Sequence, residues 1–181
     1  MGDMFARAVL GIPKPTIGLL NVGSEEMKGH DEVKKAAAIL REGVVPIEFF
    51  GFVEGDDITA GTVDVVVTDG FTGNVALKTA EGTARLYTNF IRASLKSSVL
   101  ARLGYLLSRA ALRKVRERTD PRRYNGAVFL GLNGIAVKSH GGTDDLGFAN
   151  AIGVAHDMSV HGFIDKVRAE LEEIHLKGVP A

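Results

Sequence analysis

The chain has 181 residues, enough for one domain with a real core, and 45% of them are apolar, which excludes a disordered tail. It has no cysteine, which excludes disulfides, thiolate metal sites and cysteine nucleophiles together. Its 22 acids balance 22 bases, which argues against a general nucleic-acid binder while leaving a local basic patch open.

The first fourteen residues carry Asp3 and Arg7 and lack the clean apolar core of a targeting signal. No stretch approaches the roughly 18 apolar residues of a membrane-spanning helix. Residues 1–10 read as the end of a helix, stopped at Gly11 with Pro13 beyond. Residues 16–22 read as a strand, followed by the loop 23–29. Asp31–Arg41 is a helix with apolar residues at Val33, Ala37 and Leu40. A strand at 47–52 follows, and a short, loosely helical connection through 55–63 leads to a strand at Val65. This β-α-β-α-β-α order predicts an α/β fold with a mostly parallel sheet layered by helices. Further short strands are expected at 128–130 and 135–138. A long closing helix or helix pair is expected over 144–177, interrupted near Gly162.

Residues 64–84 are the most informative stretch. Val65, Val66 and Val67 form the short β-branched run of a strand covered on both faces. Asp69, Gly70, Phe71, Thr72, Gly73 and Asn74 then make a polar, glycine-bearing turn, with Thr72 as N-cap of a helix beginning at Val75. Such a turn at the carboxyl end of a parallel strand is where α/β proteins bind anions, because free backbone N–H groups and the helix dipole favour negative charge. Two readings stay open: a phosphate or carboxylate site, or an ordinary cap in which Asp69 orders the turn and repels an anion.

Residues 91–123 are too long for a simple crossover and are strongly polarised, with ten bases against two acids, a net +8. Leu95, Val99, Leu103, Leu106, Leu107 and Ala110 recur at helical spacing. A basic amphipathic helix or hairpin, bent near Ser97–Ser98 or Gly104, has three uses. It can lie on an anionic membrane, dock an acidic protein, or pack its apolar face while its charges face water.

Several ordered blocks resemble one family. They are Gly18 to Glu26, Lys28-Gly29, Phe50 to Glu54, the whole of 64–84, Asn125-Gly126-Ala127, Leu130-Gly131-Leu132 and Lys138-Ser139-His140-Gly141. Together they resemble PlsX, the bacterial phosphate acyltransferases of phospholipid synthesis. Members of that family are roughly twice this long and begin with a strand and a Met-Gly-Gly-Asp turn that this sequence lacks, so the chain resembles the carboxyl half only. The resemblance implies a three-layer α/β sheet of the isocitrate and isopropylmalate dehydrogenase type. It implies a single domain over 1–181 with 91–123 as a helical insertion. It implies transfer of a fatty acyl group from acyl carrier protein to inorganic phosphate, with no cofactor and no metal. It further implies a homodimer, a cytoplasmic location with peripheral contact to an anionic membrane, and no nucleic-acid partner.

Carried onto this sequence, the resemblance supports Lys28 and Asn74 as the catalytic pair. Each follows a parallel strand: Lys28 offers a cation for phosphate or oxyanion, and Asn74 a neutral amide donor. Ser24, Asp69, Thr72, Gly73, Lys78 and His140 are phosphate- or substrate-binding candidates. Lys78 is equally readable as a surface partner of Glu81, and His140 as a structural turn histidine. Leu100, Leu103, Leu106, Leu107, Arg109 and Arg113 are the expected membrane or carrier-protein contacts. Two other functions are weighed beside the acyltransferase. A fragment that only dimerises or binds membrane fits the short chain. A nicotinamide-dependent dehydrogenase fits the fold type, although Gly18, Gly23 and Gly29 do not give the Gly-x-Gly-x-x-Gly fingerprint.

Overall fold

Three short apolar runs become the strands of one parallel sheet. A computed structural model of the chain describes residues 1–43 and 45–176. Strand β1 (Thr16–Leu20) lies between β2 (Glu48–Val53) and β3 (Val65–Val67), in the order β2-β1-β3. The start of the sheet is pinned by Thr16 and Asp64. The Thr16 backbone N–H and hydroxyl both donate to Asp64 Oδ2, at 2.8 and 2.9 Å. These bonds hold the Asp64 carboxyl below its usual range. Gly18 allows a close approach here, since a Cβ would lie 2.8 Å from a methyl of Val53.

Helix α1 (Gly2–Val9) precedes the sheet and α2 (Asp31–Arg41) follows β1. The spacing of Val33, Ala37 and Leu40 does what it predicts: together with Ala36 they pack on Leu19 and Phe52 of the sheet. The loose connection is a defined helix, α3 (Gly55–Ala60). Asp57 Oδ2 accepts the Glu54 N–H at its start, and Gly61 ends it in the left-handed region at φ 71°.

After β3 the chain forms two long helices, α4 (Gly70–Lys96) and α5 (Val99–Arg118), and a 3-10 turn, Pro121–Tyr124. The break falls at Ser97–Ser98, where Ser98 Oγ accepts the Ala101 N–H at 3.1 Å and caps α5. Gly104, the alternative bend, lies inside α5 and does not interrupt it. No described helix is long and apolar enough to cross a membrane.

The two later strands are shorter than the sequence suggests, β4 (Ala127–Val128) and β5 (Val137–Lys138), and they pair antiparallel as a separate ribbon. Gly131, at φ 84°, turns the loop between them away from the ladder. The closing segment is a helix pair, α6 (Asp145–Val160) and α7 (Phe163–Leu176), divided where Gly162 takes φ 62°; Lys177 lies outside the described residues. Met4, Met158 and Phe163 form the second core, joined by Val128, Val137 and Val154. Arg7 ties α1 to α7 through Glu170 and neutralises the buried Asp3, its Nε donating to Asp3 Oδ2 at 2.8 Å.

The chain divides into two compact units. One comprises Met1–Thr68 and the chain from Asn125 onward, and the other is Asp69–Tyr124. The first is the α/β unit; the second is the helical hairpin.

Candidate functional site

Lys28 sits in the loop after β1, and the loop is built to hold it. Asn21 Nδ2 donates to the Lys28 carbonyl at 3.1 Å, and the Lys28 N–H donates to the Glu25 carbonyl at 3.1 Å. Gly29 is at φ 89°, and a Cβ there would fall 1.9 Å from Asn21 Oδ1, so this position requires glycine. Lys28 Nζ meets Glu25 Oε1 at 2.7 Å. That hydrogen bond and the charge of Glu25 raise the Lys28 ammonium above its ordinary value, with a smaller contribution from Glu54. Lys28 is therefore a fully charged, half-exposed cation at neutral pH. Ser24 is exposed beside Gly23 in the same loop.

The turn after β3 differs from expectation at its cap. Asp69 is the N-cap of α4, its Oδ1 accepting the N–H groups of Phe71 and Thr72 at 2.9 Å each. Thr72 lies inside the first turn and is a donor to the cap. Asp69 wins because its carboxylate, one position before Gly70, reaches two orphan amides at once. Thr72, through its hydroxyl and its N–H, holds the Asp69 carboxyl below its usual range. The Gly73 N–H closes the turn on the Asp69 carbonyl at 2.9 Å. Asn74 follows, exposed, and its side chain makes no hydrogen bond among the described residues. Lys78, one turn on, pairs with Glu81 at 3.0 Å. Asp69, Thr72, Gly73, Asn74 and Lys78 thus share the first turns of α4.

His140 is held by a residue whose role sequence reasoning missed. Asn125 Oδ1 accepts the His140 N–H at 2.9 Å, while Asn125 Nδ2 donates to Ser139 Oγ and to the Gly147 carbonyl, both at 2.8 Å. One side chain therefore joins the approach to β4, the end of β5 and the first turn of α6. His140 Nδ1 accepts the Gly142 N–H at 3.2 Å, so the neutral ring carries its hydrogen on Nε2. The signal for Asn125 was present in the Asn125-Gly126 pair. Gly126, at φ 121°, brings the backbone so close to α6 that a Cβ would lie 3.2 Å from the Ala151 Cα.

On α5, Leu100, Leu103, Leu106 and Leu107 are all more than half exposed, at 78, 53, 61 and 80%. Leu100, Leu103 and Leu107 share one face at helical spacing, with Leu106 at its flank. Arg109 and Arg113 belong to another face and line an open groove between α4 and α5. Within the α/β unit, a second cavity of about 620 Å³ lies between α7 and the β4–β5 loop. It is walled by Phe129, Leu132, Met158, Phe163 and Leu171, with Arg168 as its cation. Among the described residues no group of three or more His, Asp or Glu is placed to hold a metal ion.

Comparison with known proteins gives the family. Residues 1–166 match the family model described as "Fatty acid synthesis protein". A protein of Paramagnetospirillum magneticum named "Phosphate acyltransferase" is 66% identical over 96% of this chain and 50% of its own length. Relatives of the same name from Rhodospirillum centenum and Rhodospirillum rubrum are 64% and 61% identical, over 96% and 97% of this chain and 49% and 50% of theirs. The chain spans about half the length of the curated relatives it matches. It belongs to the fatty acid synthesis protein family, the PlsX family whose motifs its sequence carries.

Proposed function

We propose that this chain serves a phosphate acyltransferase, which moves a fatty acyl group from acyl carrier protein to inorganic phosphate and yields an acyl phosphate for phospholipid synthesis. The observation that carries the reading is the 66% identity to a relative named for that activity, spread over 96% of the chain. A phosphate oxygen attacks the thioester carbonyl, the C–S bond breaks, and the thiolate leaves. A thiol has an ordinary pKa of about 8.5, so it leaves readily without a covalent enzyme intermediate. The protein then has to bind phosphate, align it and stabilise the oxyanion.

Lys28 is the proposed phosphate or oxyanion cation, supported by its full charge and its glycine-shaped loop. Asn74 is the proposed carbonyl donor, supported by its uncommitted amide. Ser24, Thr72, Gly73, Lys78 and His140 are proposed to complete substrate binding, and Asp69 to shape the turn. The reading takes the parallel β2-β1-β3 order as part of a dehydrogenase-type three-layer sheet in a homodimer. It assigns the leucine face of α5 to peripheral contact with an anionic membrane, on the strength of its exposure.

The test is to follow phosphate-dependent release of free thiol from an acyl carrier protein thioester, with acyl phosphate trapped as the hydroxamate. The reading expects thiol and hydroxamate in equal amounts and a requirement for phosphate. Thiol release that continues without phosphate overturns it, since that is hydrolysis.

A further inference from the structure

The Lys28 ammonium carries an anion of its own. Glu25 Oε1 lies 2.7 Å from Lys28 Nζ. The two residues close a single turn, with the Lys28 N–H donating to the Glu25 carbonyl at 3.1 Å. Both side chains pack against Gly23, where a Cβ would fall 2.5 Å from Lys28 Cδ, 2.7 Å from Glu25 Oε2 and 3.0 Å from Lys28 Nζ. Glycine at 23 therefore leaves the room that the pair occupies. Two other acids stand apart from this pair. Glu54 acts on Lys28 only through its charge, and Glu26 is taken by Arg41 at 2.9 Å.

Such a pair is specific in direction and weak in strength. Its side chains are 51 and 60% exposed, so water and salt screen it, and an exposed pair holds by a factor of about five or less. It aims the ammonium yet yields to a stronger anion. A phosphate dianion brings two charges and more acceptor oxygens where the carboxylate brings one charge. A singly charged anion such as chloride has no such advantage over a carboxylate tethered three residues away. Phosphate and Glu25 compete for the ammonium, because two anions against one cation repel. We propose that Glu25 is a positioning and specificity-determining residue of phosphate binding: its carboxylate holds the Lys28 ammonium against Gly23, and phosphate binds by taking that carboxylate's place. This rests on the reading that gives Lys28 to phosphate, and it adds the residue that phosphate displaces.

The test uses the full chain and inorganic phosphate at neutral pH and constant ionic strength, with binding read by NMR at the Lys28 ε-methylene. Glu25→Gln should bind phosphate about two- to fivefold more tightly than the parent. A gain in affinity is an effect that a merely structural residue would not give. Glu26→Gln removes the same charge one position away, from a carboxylate held by Arg41, and should shift the affinity by less than about 1.5-fold. Amide spectra confirm that the variants keep the fold. A second readout needs no variant of Glu25. Saturating phosphate should move the Glu25 γ-methylene signal of the parent toward its position in Lys28→Ala, where its partner is gone, and chloride should not.

Phosphate binding that is lost in Lys28→Ala but no tighter in Glu25→Gln overturns the proposal and leaves Lys28 with phosphate. So does a Glu25 signal that stays in place while phosphate saturates the parent. Phosphate binding that is unchanged in Lys28→Ala, or absent from both the parent and Glu25→Gln, refutes the assignment of Lys28 itself and the proposal with it.

Discussion

Asn125→Asp keeps the shape and the acceptor of Asn125 but removes its amide donor. In the native chain that amide serves Ser139 Oγ and the Gly147 carbonyl, each at 2.8 Å, and the remaining oxygen takes the His140 N–H at 2.9 Å. The aspartate variant loses the bond to the Gly147 carbonyl and faces a carboxylate toward it, while the Ser139 hydroxyl turns to donate to the new carboxylate. A carbonyl left without its donor costs about 1–3 kcal/mol. Asn125→Ala loses all three bonds, about 1.5–4.5 kcal/mol at a net 0.5–1.5 kcal/mol each. In a chain of this size the aspartate variant should melt about 2–12 °C lower. Urea unfolding followed by far-ultraviolet circular dichroism gives the energies. Hydrogen exchange at the His140 amide separates the variants, because aspartate still protects that N–H and alanine does not. If Asn125→Ala unfolds within 0.5 kcal/mol of the parent, or leaves His140 exchange unchanged, Asn125 does not position the histidine turn.

Three further outcomes are expected. Gly29→Ala should disorder the Lys28 loop, since its Cβ would overlap Asn21 Oδ1; an NMR spectrum with unshifted amides from Asn21 to Gly29 would contradict this. Met158→Ala, at a side chain only 1% exposed, should cost about 2–5 kcal/mol in urea unfolding; a loss under 1 kcal/mol would mean that this core collapses around the gap. Asp120 is held at about 2 by hydrogen bonds from Arg122. A depressed carboxyl stabilises the fold above its ordinary value of 3.8 and loses that contribution as pH falls toward 2. Arg122→Gln should therefore move the Asp120 titration up toward 3.8, and an unmoved midpoint would show that Arg122 is not the cause.

The parallel sheet was legible because its signals are local. Val65-Val66-Val67, the spacing on α2 and the glycine punctuation at Gly11 and Gly162 each act within a few residues. Coverage of β3 on both faces is not met, since it is an edge strand and none of its three valines is buried. The hairpin was legible as a basic amphipathic segment, and Ser97–Ser98 as one of two bends. Serine caps and breaks the helix there, whereas Gly104 costs a helix interior only about 1 kcal/mol and is absorbed. The cap at Asp69 was misjudged by three residues, because Asp and Thr are both good caps and only geometry shows which reaches the free amides. The Asn125-Gly126 pair marked a turn, but the reach of the Asn125 side chain was hidden for a different reason. Its partners lie 14 to 22 residues away, and no periodicity reports a side chain that closes a long-range contact. At Lys28 the sequence showed a loop lysine, while its pairing with Glu25 and its dependence on Gly29 came only with the structure.

The measurement that bears most directly on the functional account is acyl-phosphate formation by this chain and its Lys28→Ala and Asn74→Ala variants, with circular dichroism confirming that all three are folded. The account predicts phosphate-dependent hydroxamate from the parent chain and a loss on the order of 100-fold or more in kcat/KM for each variant. A folded parent that forms no acyl phosphate, or variants that turn over as fast as the parent, would contradict it.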